Sequence, residues 1–270
     1  MVGSADIQQA FQTLGINDLP VCVHASLRSF GGLEHGPRTV IDGVLSAGCT
    51  LVVPAFTDHY DIAPPPGMRP QRNAWNYDVE GDMPGASRPP YAPSSNLINA
   101  GMGALPAAVV DTPGRMRGQH ALNSFAALGP RAAEMIAGQQ PDDVYAPLRA
   151  VAGAGGYALL MGVGLDRLTA LHQAELLAGR NLFRRWALDP HGEPHMVHIG
   201  SCSNGFPQLD AGLAHLERRI TVGDSVWRVY PLQDTINAAA ELIRNDPEIT
   251  RCRPDCRICN DAIAGGPIID

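Results

Sequence analysis

One stretch, residues 157–177, does most to limit the architectures open to this chain. Tyr157-Ala158-Leu159-Leu160-Met161-Gly162-Val163-Gly164 is an apolar run with β character. It crosses a short polar turn, Leu165-Asp166-Arg167-Leu168-Thr169, and becomes the helix-patterned Ala170-Leu171-His172-Gln173-Ala174-Glu175-Leu176-Leu177. A buried strand that feeds a helix through a glycine-bearing turn sets the helix mouth at the strand's carboxyl end. In open α/β sheets that is where ligands collect. His172 and Glu175 stand three residues apart. On a helix they share one face, and their side chains can touch. A carboxylate beside an imidazole fixes its tautomer and raises its basicity, which is how a histidine base is assembled. The same spacing also describes a solvated surface pair. Thr169, one turn before His172, suits either a cap for the helix or a ligand contact.

At 270 residues, with 45% hydrophobic and 17% charged side chains, the chain has the make-up of one α/β enzyme domain spanning 1–270. No apolar run of about 18 residues could span a membrane. The start, Met1-Val2-Gly3-Ser4-Ala5-Asp6, lacks the basic and apolar regions of a signal peptide, so a cytoplasmic location is expected. A formal net charge of −7 disfavours nucleic acid and fits a cationic small molecule.

Taken in order, helices are expected at 4–19, 37–45, 97–110, 130–139, 144–153 and 236–244. Buried strands fit Val21–His24 and Cys49–Pro54. Residues 56–96 form a long segment rich in Pro, Asp and Arg, of the kind that is either a functional lid or a disordered insertion. Within it Asp58, Tyr60, Asp78 and Glu80 are candidate contacts for a cationic substrate. Residues 184–230 read as a run of antiparallel strands, with Asp189-Pro190-His191-Gly192 as a hairpin turn.

Two polar clusters lie outside the central stretch. Ser26-Leu27-Arg28-Ser29, with Gly31 and Gly32, follows a strand end and can present amides and a cation to phosphates; it can equally be a plain turn. The other runs from Arg115 to Gly129 and carries Arg117, His120, Ser124 and Phe125.

Four segments, in order, carry a family resemblance: His24–Ser29 with Gly31-Gly32, Gly48–Thr57, Arg117–Gly129, and Gly162–Gly164 through Glu175. Together they resemble the aminoglycoside 3-N-acetyltransferases, also called the antibiotic N-acetyltransferase family. The resemblance implies a central mixed sheet flanked by helices, with an antiparallel β region in the C-terminal half. It implies transfer of an acetyl group from acetyl-CoA to an aminoglycoside amine, namely the 3-amino group of the 2-deoxystreptamine ring. His172 would be the general base, Glu175 its orienting carboxylate, and Thr169 would lie by the thioester. Ser26, Leu27, Arg28, Ser29, Gly31 and Gly32 would form one wall of the CoA site, with Arg117, His120, Ser124 and Phe125 as the other. A non-aminoglycoside amine is the alternative acceptor, and either a monomer or a homodimer would suit.

Six cysteines complete the inventory. Cys22 and Cys49 sit in apolar runs as buried thiols. Cys252, Cys256 and Cys259 have the spacing of a zinc knuckle, and Cys202 is the natural fourth ligand for a structural zinc. Free reduced thiols are the other main reading, with a disulfide disfavoured by cytoplasmic redox conditions. A rival chemistry would be a zinc hydrolase on His191, His195 and His198. However, His195 and His198 differ by an odd number and face opposite sides of a strand.

Overall fold

The computed structural model describes residues 1–65, 67–77 and 89–268. Helix α1 (Ser4–Leu14) buries Ile7, Ala10, Phe11 and Leu14 along one stripe, and the Asp6 carboxylate accepts from the Gly3 amide at its start. It ends before the expected residue 19 because Gly15 takes a left-handed conformation, φ 63°. Strand β1 (Pro20–Ala25) follows, then α2 (Pro37–Ser46), opened by Pro37 at its first position. Gly43 lets α2 lie directly on α1. A Cβ there would come within 2.4 Å of the Ile7 Cβ.

Strand β2 (Thr50–Pro54) precedes the long connection, and helix α3 (Ala104–Asp111) follows it. This helix was expected from residue 97. Gly103, at φ 89° and ψ 176°, delays it, since that backbone cannot belong to a helix. Next come β3 (Met116–Arg117), β4 (Phe125–Leu128), α4 (Ala132–Ile136), α5 (Ala146–Gly153), β5 (Tyr157–Met161) and α6 (Ala170–Leu177). The chain closes with β6 (Phe183–Leu188), β7 (Pro194–Ile199), α7 (Asp210–Leu213), β8 (Arg218–Val222), β9 (Ser225–Pro231), α8 (Leu232–Asn245) and α9 (Arg257–Ile263).

The main sheet has the order β3-β4-β2-β1-β5-β9-β8. Strand β1 runs parallel to both β2 and β5, and the outer pairings are antiparallel. Central parallel strands are covered on both faces, which is why β1, β2 and β5 read as continuous apolar runs. Alternate residues divide between the two cores. Val21, Val23, Leu51 and Leu159 face α1, α2 and α3, whereas Cys22, Val52, Ala158 and Leu160 face α5, α6 and α8.

The expected antiparallel run at 184–230 divides in two. β6 and β7 form a separate hairpin across the Asp189–Gly192 turn, and β8 and β9 extend the main sheet beside β5. The long connection is stitched to that hairpin. Asn73 donates to the Arg184 carbonyl at 2.9 Å and accepts from its amide at 2.8 Å, while Ile62 bridges Trp186. No helix among the described residues is long and apolar enough to cross a membrane.

Candidate active site

The carboxyl ends of β1, β2 and β5 open into a cavity of about 880 Å³. Its floor is built from the last residues of these strands and those that follow them: Val23 to Arg28, Pro54 with Phe56, and Gly162 with Val163. The start of α3 and the 199–203 loop close the sides. Thr169 and His172, on the first turns of α6, face this space.

His172 lies between the rings of Tyr145 and Phe206, stacked on the first at 6.2 Å between centroids and tilted to the second at 4.8 Å. Its Nδ1 is 2.7 Å from Glu175 Oε2. Glu175 is 3% exposed, and burial alone would raise its pKa. Hydrogen bonds from His172 and Ser201, with the charge of Arg180, override burial and hold it below the usual carboxylate range. An ionised carboxylate only accepts, so His172 Nδ1 must carry the proton. Nε2 has no protein partner among the described residues, and the ring lines the cavity.

Glu175 is itself held from two sides. Ser201 Oγ donates to Oε2 at 2.6 Å, and Arg180 donates to Oε1 at 2.6 Å. Arg180, buried just past the end of α6, also donates to Thr250 Oγ1 at 2.8 Å and to the Pro247 carbonyl at 2.6 Å. Gly200 allows this crowding. A Cβ at 200 would fall 2.3 Å from Tyr145 Oη and 2.9 Å from the His172 ring.

The first wall is only partly as expected. Ser26, Leu27 and Arg28 line the cavity. Ser29 instead ties the turn to β9, donating to the Ser26 carbonyl and sharing a 2.7 Å hydrogen bond with Ser225 Oγ. Gly31 and Gly32 line a different groove beside Met1 and Val2. Thr169 lines the cavity and makes no side-chain cap.

The residues expected as the second wall, Arg117, His120, Ser124 and Phe125, are not among those lining this cavity. The buried Arg117 guanidinium is occupied by Ser124 Oγ and by the carbonyls of Ala55, Ser95 and Leu97, so it fastens the long connection to the sheet. His120 Nδ1 accepts from the Leu122 and Asn123 amides, and Nε2 donates to the His198 carbonyl. Burial holds its pKa down at about 4. Phe125 packs edge-on against Phe56. Asn123, from the same segment, does line the cavity.

Asp58 is exposed, and Tyr60 is buried with its hydroxyl on Ser95, so neither lines the cavity. Asp78 and Glu80 lie outside the described residues. His191, His195 and His198 are spread along the β6–β7 hairpin, where strand alternation separates them. They form no metal-capable group among the described residues. The sulfurs of Cys202, Cys252, Cys256 and Cys259, by contrast, all lie within 4.8 Å of one another.

Several site residues escaped sequence reasoning. Ser201 and Tyr145 are distant in sequence from His172, and Arg180 meets Glu175 only because the chain turns back after α6. His24 lines the cavity with its pKa lowered to about 4, first by burial and then by Arg167. Arg28 and Arg167 are exposed cations on the lining, and Asp166 is the carboxylate there.

A buried His–Glu pair thus lies at the carboxyl edge of a mixed α/β sheet, beside the opening that its central strands share. The chain belongs to the aminoglycoside 3-N-acetyltransferase family, whose model matches residues 22–244. Aminoglycoside N(3)-acetyltransferase VII of Streptomyces paromomycinus is 34% identical over 262 residues, covering 83% of this chain and 85% of that one. Aminoglycoside N(3)-acetyltransferase VIII of Streptomyces fradiae is 36% identical over 162 residues; the match spans 58% of this chain and 54% of that relative. Among solved structures, aminoglycoside acetyltransferase AAC(3)-IVa superposes with a TM-score of 0.77 at 25% identity, over 98% of this chain and 97% of that one. The binary complex of AAC-IIIb with CoASH has the same fold, with a TM-score of 0.73 at 22% identity over 90% of this chain and 96% of that one.

Proposed function

We propose that this protein moves an acetyl group from acetyl-CoA to an amine of an aminoglycoside, the 3-amino group of the 2-deoxystreptamine ring. The carrying observation is His172, whose Nδ1 is fixed by Glu175 and whose Nε2 is left as the acceptor in the cavity. An ammonium must lose a proton before its nitrogen can attack, and His172 Nε2 takes it. The nitrogen then bonds to the thioester carbonyl carbon. The tetrahedral intermediate collapses with cleavage of the C–S bond; the departing CoA sulfur accepts the proton that His172 held, and the attacking nitrogen sheds its second proton to solvent. The products are an N-acetyl amine and free CoA. Glu175 stabilises the imidazolium formed midway and needs no proton of its own.

The lining supports this division of labour. Arg28 and Arg167 offer two cations to the phosphates of CoA, and Val23, Leu27, Phe56 and Val163 offer apolar contact to its pantetheine arm. Asp166 is a contact for a cationic acceptor. The AAC-IIIb complex with CoASH and the family match favour acetyl-CoA as cosubstrate. The four cysteines expected to hold a structural zinc lie apart from this chemistry, since none of them lines the cavity.

The test is thiol release from acetyl-CoA in the presence of a panel of aminoglycosides and simpler amines, with the product followed by mass. An increment of one acetyl group on an aminoglycoside, abolished in His172→Gln, is the expected result. Acetylation of simple amines alone would replace the acceptor. Full activity in His172→Gln would remove the base.

A further inference from the structure

We infer that Cys202, Cys252, Cys256 and Cys259 bind one zinc ion, and that this ion positions Glu175 by locking together the two loops that hold its carboxylate. The positioning half rests on the proposed role of His172 and Glu175; the metal half does not.

The geometry is that of a tetrahedral thiolate site. Four sulfurs about 2.3 Å from one ion lie about 3.8 Å from each other. Here Cys202 and Cys252 are 3.8 Å apart, Cys252 and Cys259 are 3.4 Å apart, and no pair exceeds 4.8 Å. None of the four is in a disulfide. The amides of Asn204 and Cys259 point at the sulfurs of Cys202 and Cys256, as amides do toward ligating thiolates. Soft thiolates in this arrangement select zinc over hard cations. Binding Zn²⁺ releases the four thiol protons and leaves a centre of net charge −2. Arg251, in the same loop, lies close enough to Cys256 and Cys259 to offset part of that charge.

The placement of the ligands is what ties the ion to the active site. Cys202 directly follows Ser201, which donates to Glu175 Oε2. Cys252 stands two residues after Thr250, which accepts from the Arg180 that grips Glu175 Oε1. Gly200 and Phe206, which touch the His172 ring, belong to the Cys202 loop. The two loops are in direct contact, since a Cβ at Gly205 would overlap the Thr250 carbonyl. Zinc would therefore fix the spacing between the Ser201 and Arg180 arms of one clamp. Cys202 and Cys252 lie outside helices and strands, whereas Cys256 caps α9 and Cys259 lies within it, so the ion would tie both loops to that helix.

The protein is purified without chelator or added metal, and its zinc is measured by elemental analysis. About one zinc per chain is expected, falling to about 0.1 or less in Cys256→Ser/Cys259→Ser and retained in Cys256→His, which still offers a ligand. The wild-type chain is then stripped with a chelator and reloaded with zinc, so that the result does not depend on a variant folding. The readout independent of turnover is the His172 Nδ1–H proton resonance, assigned by its loss in His172→Gln. It should be present with zinc, broadened or shifted after stripping, and restored on reloading. In parallel, kcat for acetyl transfer should fall about 10- to 100-fold on stripping, with the KM for acetyl-CoA within about twofold. A wild-type chain that holds no zinc even after reloading overturns the site. Zinc loss that leaves the His172 resonance in place overturns the positioning role, whatever the acceptor proves to be.

Discussion

Consider Glu175→Gln, a change of one atom at a carboxylate that receives three donors. His172 Nδ1 and Ser201 Oγ both point at Oε2, and the Arg180 guanidinium points at Oε1. A carboxamide has one accepting oxygen and one donating nitrogen, so the two sides compete for the oxygen. Facing NH₂ toward Arg180 would leave a buried cation unpaired, at about 3–5 kcal/mol. Facing it toward His172 loses a hydrogen bond worth about 1 kcal/mol. Ser201 can turn its hydroxyl to accept. The oxygen therefore stays with Arg180, and His172 must accept at Nδ1 and carry its proton on Nε2. That is the wrong tautomer for a base facing the cavity, a fault that removes up to about 10⁴ in rate. The expected result is a kcat about 10³- to 10⁴-fold lower, or about 4–5.5 kcal/mol of barrier, in a protein that still folds and binds CoA. Adding Arg180→Met frees the amide oxygen to turn toward Nδ1. The double variant should then recover about tenfold over Glu175→Gln, although it lacks one more polar contact. Thiol-release kinetics and calorimetric CoA binding decide the matter. A single variant within about threefold of wild type, or a double variant no faster than the single, would refute the tautomer argument.

Other consequences are simpler. Gly200→Ala should cost about 100-fold in kcat, because the new Cβ displaces Tyr145 and His172; steady-state kinetics on the folded variant checks it. Arg28→Ala and Arg167→Ala should each raise the KM for acetyl-CoA about tenfold with kcat nearly unchanged. His24 and His120 are buried with pKa values lowered to about 4, whereas the unfolded chain binds protons there below about 6.5. The folded state thus holds fewer protons, and stability falls as pH drops from about 6.5 to 4, by about 3 kcal/mol per histidine. Glu175, with its pKa lowered, adds a further loss as pH falls below the usual carboxylate value. Urea midpoints that stay flat from pH 7 to 4.5 would contradict this, and His24→Gln should shallow the slope.

Local chemistry made much of this legible before any coordinates. The run 157–177 specified a strand, a turn and a helix because burial on both faces and helical spacing leave direct marks on residue order. His172 and Glu175 were recoverable for the same reason, since one helix places them side by side. The hairpin turn at Asp189–Gly192 and the cysteine spacing were local signals as well. Arg117, His120 and Ser124 form a polar cluster in the sequence, which the family resemblance implies is a wall of the CoA site. Whether a buried polar group serves a ligand or satisfies backbone carbonyls depends on what packs against it. The 184–230 strands divided between two sheets because alternation fixes a strand's faces and says nothing about its neighbour.

The chain by itself determined its buried strands, its amphipathic helices and the His–Glu pair, all set by contacts within a few residues. Tertiary structure decided what holds that pair. Ser201, Thr250 and Tyr145 converge from separate segments, with Arg180 joining them from just past α6, and the Ser201 and Thr250 hydrogen bonds depend on how the sheet and its flanking helices pack. Long-range partners leave no periodic trace in a sequence, because their spacing is fixed by loops and packing and never by the repeat of a helix or strand.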